Sequence, residues 1–498
     1  MTPVVLDAEG LVLEDVYRVA VDRARLDVAP AVLERVEAGR AIVDRAIDGE
    51  TLIYGLNTGL GHLRDARVSR EQLMAYQTRI VTAHAGGVGP DLPDEDVRAI
   101  MLARVAGMAR GGSGAHPGAM LILVHMLNAG IHPIVPEVGS VGAADLMSMA
   151  AIALVAIGLG QARLGGEVLP GAMALERAGL SPYVLQPKDG LAMISANGAA
   201  IGPGALVVLE AERIAALADL AGALTLEAIG GNLSPFDPEA AAAKPIPGQI
   251  AAAAHVRELL AGSRLHHPDT VRSVQDPLSF RVMPQVHGAL RECLAATRQA
   301  VQVELNAIDD NPMVSLASGR LISNGNFHPM VMALQFDALR VVLAHVAMLS
   351  ERRMNKTGNL KFGNPELFLG GIGVPHDVSG LLTYAAATIT SELKHLAAPA
   401  TLHCPPLDYD VEDHATLAPL TVQLTRRALH HLETVLVTEM LQAVDVLRMM
   451  QPEPRLGAGT SAAYDAICEI LETAAREASS AEIVEATRQA LAGRRRTA

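Results

Sequence analysis

Apolar and polar positions alternate with helical spacing over most of the chain, and no long stretch carries the two-residue period of a strand. This periodicity predicts a first long helical segment from about Leu13 to Ile47, closed by Gly49. The second half holds long apolar-periodic runs from about His328 to Arg353, Val378 to Leu396 and Leu417 to Met450, none interrupted by proline. A Pro-free helical tail follows from about Ala462 to Gly493. Loops are expected where glycine and proline concentrate: Ile53–Gly61, Ala85–Pro90, Val135–Gly142 and Asn355–His376. A new helix is expected to start near Asp145. Helices this long bury their apolar stripes by packing as an extended bundle. The expected organisation is an N-terminal region over 1–190, a central long-helix bundle over 191–450 and a helical tail over 451–498, without internal repeats.

Composition sharpens this to an all-α reading. Half of the 498 residues are apolar, yet aromatics are only 3% and Trp is absent. Ala, Leu, Val and Met must fill the core, which suits close-packed helices. The net charge of -14 argues against nucleic acid as a partner. The basic run Arg494-Arg495-Arg496 reads as a solvated tail. Cys293, Cys404 and Cys468 have neither pairing nor metal-ligand spacing, which fits a reducing cytoplasm. Met1–Gly10 lacks a signal-peptide pattern, and the apolar run Leu146–Gly160 is too short to span a bilayer. A cytoplasmic protein with no membrane partner is expected.

Several polar clusters sit where a bundle prefers apolar residues. In Gln275-Asp276-Pro277-Leu278-Ser279-Phe280-Arg281, the arginine offers a planar fork to a carboxylate, or makes an ordinary interhelix ion pair. Glu304-Leu305-Asn306 and Asp309-Asp310-Asn311-Pro312 read equally as a helix end with an Asx turn or as functional groups. Ser323-Asn324-Gly325-Asn326-Phe327-His328 is a capping loop or a pocket wall. Glu412-Asp413-His414 carries groups for acid–base work. Metal binding there is disfavoured, because no second His or Cys stands at ligand spacing. His84 and Tyr54, both beside glycine-rich loops, are packing anchors or substrate contacts.

Taken in order, these segments resemble the signatures of the histidine, phenylalanine and tyrosine ammonia-lyases, over about Tyr54 to His414. Tyr54-Gly55-Leu56-Asn57-Thr58-Gly59-Leu60-Gly61 resembles the family's mobile inner loop, whose Tyr acts as base. Ala83-His84 falls where the family selects its ring, and His here resembles the histidine enzymes. Gln275, Asp276 and Arg281 match the motif whose Arg holds the substrate carboxylate, while Asn311, Phe327 and Glu412 match pocket-lining positions. Asn197 lies in Ile194-Ser195-Ala196-Asn197-Gly198, where relatives carry Asn-Gly-Thr. The resemblance implies Tyr54 and Glu412 as catalytic, and His84, Asn197, Gln275, Arg281, Asn311 and Phe327 as substrate-binding. It also implies a helical bundle of the aspartase/fumarase–ammonia-lyase type and a homotetramer with shared active sites.

One departure changes the expected chemistry. Relatives carry Ala-Ser-Gly before an Asp-Leu pair, and that tripeptide cyclises and dehydrates to the electrophile methylidene-imidazolone (MIO). Here Gly142-Ala143-Ala144-Asp145 is one residue shorter and has no hydroxyl, so no MIO and no other cofactor are expected. Leu278 also stands where relatives usually have Tyr. The leading expectation is therefore a lyase that eliminates ammonia or another group from an amino acid or related small acid without MIO. Conventional histidine ammonia-lyase activity and a non-catalytic binding or scaffold role are the alternatives.

Overall fold

The computed structural model describes residues 2–47, 49, 51–362, 379–409, 411–450, 454–474 and 478–493. The Arg494–Arg496 run and residues 363–376 of the fourth expected loop lie outside the described residues. Helices dominate, and among the described residues the only sheets are three two-stranded pairs and one of three strands. The all-α expectation holds.

The chain forms two compact units, each assembled from separated stretches. The first comprises 1–209, 297–336 and 399–423. At its centre, helix Asp94–Ala109 is buried from Asp96 onward on every side. It packs against helices Leu13–Ala20 and Pro117–Ala129. The latter starts with Pro at its first position, where a missing N–H costs nothing, and His116 accepts from the Gly118 amide at 3.1 Å. It ends at Gly130, whose φ of 71° suits glycine.

The second unit comprises 210–296, 337–398 and 424–498. One of its cores joins Leu226, Phe236, Val256, Leu260, Phe280 and Met283. Charge is buried here too, but matched. Arg353 donates to both Glu439 oxygens, at 2.6 and 2.8 Å, and Thr225 donates to the same carboxylate at 2.7 Å. Asp219 accepts from His255 at 2.8 Å, His287 at 2.7 Å and Arg291 at 2.5 Å.

The structure corrects the element boundaries in several places. The Leu13–Ile47 segment is two helices, Leu13–Ala20 and Pro30–Ile47, separated by strand Leu26–Val28, which pairs with Val4–Leu6. Arg23 turns left-handed (φ 58°) and Pro30 cannot donate to a preceding turn, so the run breaks between them. The tail is also two helices, Ala458–Thr473 and Ser480–Gly493. Conversely, helix Met330–Phe362 continues past Arg353 into the stretch expected to be a loop. Burial of Arg353, Met354 and Thr357 holds its backbone helical there.

Helix Gly198–Ile229, with Pro203 inside it, is missing from the sequence reading because its first turns are rich in glycine. The reason for one glycine is local: a Cβ on Gly202 would lie 2.4 Å from the Ala99 carbonyl carbon, so only glycine lets the two helices touch backbone to backbone. The stretch Asp189–Ile229 is long and apolar enough to cross a membrane, as is Met330–Asn359. Of their most apolar windows, 94% and 56% are buried inside the protein.

Candidate active site

Tyr54 stands in a loop that its own residues tie into shape. Asn57 Oδ1 accepts from the Ile53 amide at 2.7 Å, and Thr58 Oγ1 accepts from the Gly55 amide at 3.2 Å. The loop doubles back so that the Gly61 amide donates to Tyr54 Oη at 3.3 Å. Asp408 fastens the far side, accepting from the His62 amide at 2.9 Å and bonding the His62 ring at 2.7 Å. Gly61 must be glycine here, because a Cβ would meet Asp408 Oδ2 at 2.1 Å.

Asp408 and Tyr409 are both left-handed (φ 47° and 53°) and turn the chain back, so that Leu407 and Glu412 pair through two backbone hydrogen bonds of 2.8 and 3.2 Å. That turn brings the Glu412 carboxylate into electrostatic reach of Tyr54 and His84. Burial, then the charges of Glu412 and Asp408, push the Tyr54 phenol above its ordinary range. Burial and Asp408 raise Glu412, with His84 acting in the opposite direction. His84 ends helix Leu73–His84, and its Nδ1 donates to the Ile80 carbonyl at 2.6 Å. A carbonyl only accepts, so Nδ1 carries the proton and a neutral ring presents Nε2 as an acceptor.

The loop Gly139–Asp145 carries no hydroxyl after Ser140, and Ser140 Oγ is bonded to Ser148 Oγ at 3.0 Å. Ala144 is left-handed (φ 54°), an uncommon state for a residue with a side chain. Its amide donates to the Phe327 carbonyl at 3.0 Å, and the Asp145 amide donates to the Ala196 carbonyl at 2.8 Å. Thr416 donates to the Gly142 carbonyl at 2.7 Å. A loop with no side-chain leaving group, and with both following amides engaged, does not fit a self-cyclising tripeptide.

Behind this loop lies a buried carboxylate cluster. Asp145 accepts from the Ala200 amide at 2.9 Å and Asp309 from the Asn197 amide at 2.7 Å. Arg104 donates to Asp310 at 2.7 Å and to Asp309 at 3.3 Å. Burial pushes Asp145 and Glu304 up to about 7 and Asp309 up to about 6. Lys188, fully buried, is pushed down to about 8.

Tyr54, His84, Gly142, Ala143, Ala144, Asp145, Asn197, Asn311, Phe327 and Glu412 all belong to the first unit. Within it, Glu412 is in electrostatic reach of Tyr54 and of His84, and the Phe327 carbonyl accepts from the Ala144 amide. Asn311 Oδ1 accepts from the Asn324 amide at 3.0 Å and holds the turn that leads to Phe327. Asn197 is completely enclosed, and neither polar atom of its side chain has a protein partner. Gln275 and Arg281 belong to the second unit. Arg281 Nε donates to the Asp276 carbonyl at 2.8 Å, and with the Gln275 amide oxygen turned toward it, the guanidinium fork holds that oxygen at 2.6 and 2.8 Å. Sequence reasoning missed Asp408, Arg104 and Lys188. Each is a lone charge in an ordinary local pattern, and only tertiary packing gives it a role.

A family model for aromatic amino acid lyases matches residues 11–469. The chain belongs to that family. Among its aromatic amino acid lyase relatives, the histidine ammonia-lyase of Anaeromyxobacter sp. (strain K) is 42% identical over 92% of this chain and 92% of its own length. That of Myxococcus xanthus (strain DK1622) is 37% identical over 93% and 92%. In structure, the ergothioneine-degrading enzyme ergothionase from Treponema denticola superposes with a TM-score of 0.90 at 29% identity, covering 99% of both chains. Histidine ammonia-lyase from Trypanosoma cruzi gives 0.87 at 25%, covering 99% of this chain and 94% of that one. This lyase is thus an enzyme of the carbon–nitrogen lyase kind, with the ammonia-lyase fold.

Proposed function

We propose that the chain removes the α-amine from an imidazole-bearing amino acid, with Tyr54 as base and Glu412 and His84 at the ring end. The observation that carries this reading is that the turn at Asp408–Glu412, fastened to the Tyr54 loop by Asp408, puts Glu412 within electrostatic reach of both Tyr54 and His84. Relatives named histidine ammonia-lyase support histidine as the substrate skeleton better than they support an unspecified small acid. Kinship with named enzymes weighs against a purely non-catalytic role.

In the elimination, a base takes the β-proton, the double bond forms and the amine departs with the C–N electron pair. Tyr54 rests protonated, because two carboxylates and burial oppose its ionisation. A cationic substrate amine reverses that balance on arrival, since a positive charge beside a phenol favours the phenolate. Glu412 accepts an imidazole N–H, and His84 Nε2 accepts a second proton donor.

The same proposal has this reaction run without MIO, on the ground that Ala143-Ala144 lacks the hydroxyl and that the following amides are engaged. An amine that leaves unaided is then favoured. Ergothioneine, named for the Treponema denticola enzyme, is an imidazole-ring betaine with a quaternary nitrogen, which suits that requirement. Arg281, flanked by the exposed apolar residues Val274 and Leu278, supports carboxylate binding in a site completed by further copies in a homotetramer. That Cys293, Cys404 and Cys468 form no disulfide with one another supports a cytoplasmic location.

The test is amine release, together with ultraviolet absorbance of the acrylate product, for histidine, its trimethyl betaine and non-imidazole amino acids. Turnover confined to the imidazole substrates is expected, with the betaine the faster. Turnover only of non-imidazole substrates would overturn the reading. Mass spectrometry of the intact protein is expected to match the unmodified sequence, and a deficit of two waters would overturn the MIO-free part.

A further inference from the structure

The segment that carries Glu412 is tied to the loop-facing segment by a pair of imidazoles the reaction does not use. His328 Nε2 and His414 Nδ1 are 2.9 Å apart, and their ring centroids are separated by 5.0 Å with the planes tilted by 35°. Each ring follows a site residue closely: His328 is next to Phe327, whose carbonyl receives the Ala144 amide, and His414 lies two residues beyond Glu412. A continuous run of bonds therefore leads from Ala144 through Phe327 and His328 to His414. Glu412 lies between that tie and its backbone pairing with Leu407.

A nitrogen–nitrogen contact of this length is a hydrogen bond only if one nitrogen brings a proton and the other a lone pair. Both rings can be neutral, or one can be an imidazolium, but two imidazoliums have no lone pair to share and repel at contact. The other charged groups on the 407–414 segment are Asp408, Asp410, Glu412 and Asp413, whereas the Ser323–Phe327 turn before His328 carries none. Burial, and then the charge of His414, hold His328 below the ordinary imidazole range.

We propose that His328 and His414 form a one-proton strut that positions Glu412 against the ring of the substrate, and that adding a second proton releases it. This rests on the imidazole-substrate reading above. Neither histidine takes a proton from the substrate; both are positioning residues that act through Glu412. Loss of the strut is therefore expected in KM for imidazole substrates more than in kcat. It is also expected as an acid limb in kcat/KM below the usual histidine range.

Two measurements test the strut. The first is a nitrogen-15 NMR titration of the histidine rings in the intact protein, which needs no turnover. Coupled titration is expected, with the second proton taken up well below the first. Independent titration of both rings near the ordinary histidine value would overturn the strut, whatever the substrate is. The second uses variants and imidazole substrates. His328→Ala is expected to raise KM about tenfold or more and to erase the acid limb. His328→Gln, which keeps a hydrogen-bonding group but cannot be protonated in this range, is expected to recover most of the lost KM while leaving the acid limb absent. Should His328→Gln retain the wild-type acid limb, or should both variants lower kcat with KM unchanged, the positioning role would be wrong. Coupled titration with no turnover of any imidazole substrate would support the strut and remove the substrate reading alone.

Discussion

Asp219 in one unit and Asp145 in the other are both completely buried carboxylates, yet they rest in opposite states. Burial pushes Asp219 up, but hydrogen bonds from His255 and His287 and the nearby Arg291 hold it well below the usual range. Around Asp145 no cation does the same: burial raises it to about 7, Asp309 adds to the effect, and Glu304 follows to about 7. Tyr54 and Glu412, in that same unit, are also shifted toward their protonated forms. In the second unit Asp219 and Glu439 are held by basic partners, while Glu227 accepts from neutral donors and is raised by burial. Among the described residues, Asp145 beside its loop and Glu412 in reach of Tyr54 are carboxylates that no hydrogen-bonded cation matches, which in the proposed reaction favours a cationic amine.

The largest expected effect comes from removing a cation that is buried among carboxylates of the site-bearing unit. Arg104→Met leaves Asp309 and Asp310 buried without it, which should cost about 3–5 kcal/mol. Thermal or denaturant unfolding measures this, and a loss under about 1 kcal/mol would mean the cluster is already neutral, erasing the contrast with Asp219. Next, Tyr54→Phe should lower kcat by about 10²- to 10⁴-fold, while Tm stays nearly unchanged. Equal losses of activity and stability would return Tyr54 to the role of packing anchor.

Glu304→Gln sharpens the comparison through pH. Burial holds the folded Glu304 carboxyl at about 7, above the ordinary glutamate value of 4.5. Folding is therefore favoured by the neutral carboxyl at low pH, and that contribution is lost as pH rises through 7. Replacing it should flatten the fall of unfolding free energy between about pH 5 and 8, on the order of 1–3 kcal/mol, as read by denaturant unfolding at each pH. The counterpart Asp219→Asn should instead remove stability at neutral pH, and identical pH profiles for the two variants would break the distinction. The smallest effect is that of Ala144→Gly, which should gain roughly 0.5–1 kcal/mol by relieving the left-handed backbone. A loss there would show that the methyl group packs better than the turn is strained.

Long apolar periods made the helices from Met330, Ser379 and Ala418 legible, because a stripe that must be buried leaves a repeating mark. Helix Gly198–Ile229 left no such mark, since its contact with Ala99 requires glycine where periodicity looks for bulk. In the site, Tyr54, His84 and Glu412 stood out through the family resemblance rather than through their local settings, each of which also suits ordinary packing. Asp408 was not: its role comes from a turn that places it against the His62 loop, 346 residues away in sequence. The direction of the Tyr54 shift was equally hidden, as it depends on neighbours that only folding supplies.

The fork of Arg281 is already occupied by the Gln275 amide oxygen. In the carboxylate-binding role proposed for Arg281, an arriving carboxylate must trade places with a neutral acceptor, and the net gain is the difference between a charge-assisted bond and an ordinary one. Such an exchange discriminates well between an acid and its amide but confers only moderate affinity. Under that proposal, release of an unsaturated acid would be correspondingly easy, because the Gln275 amide oxygen can return to the guanidinium as the product departs.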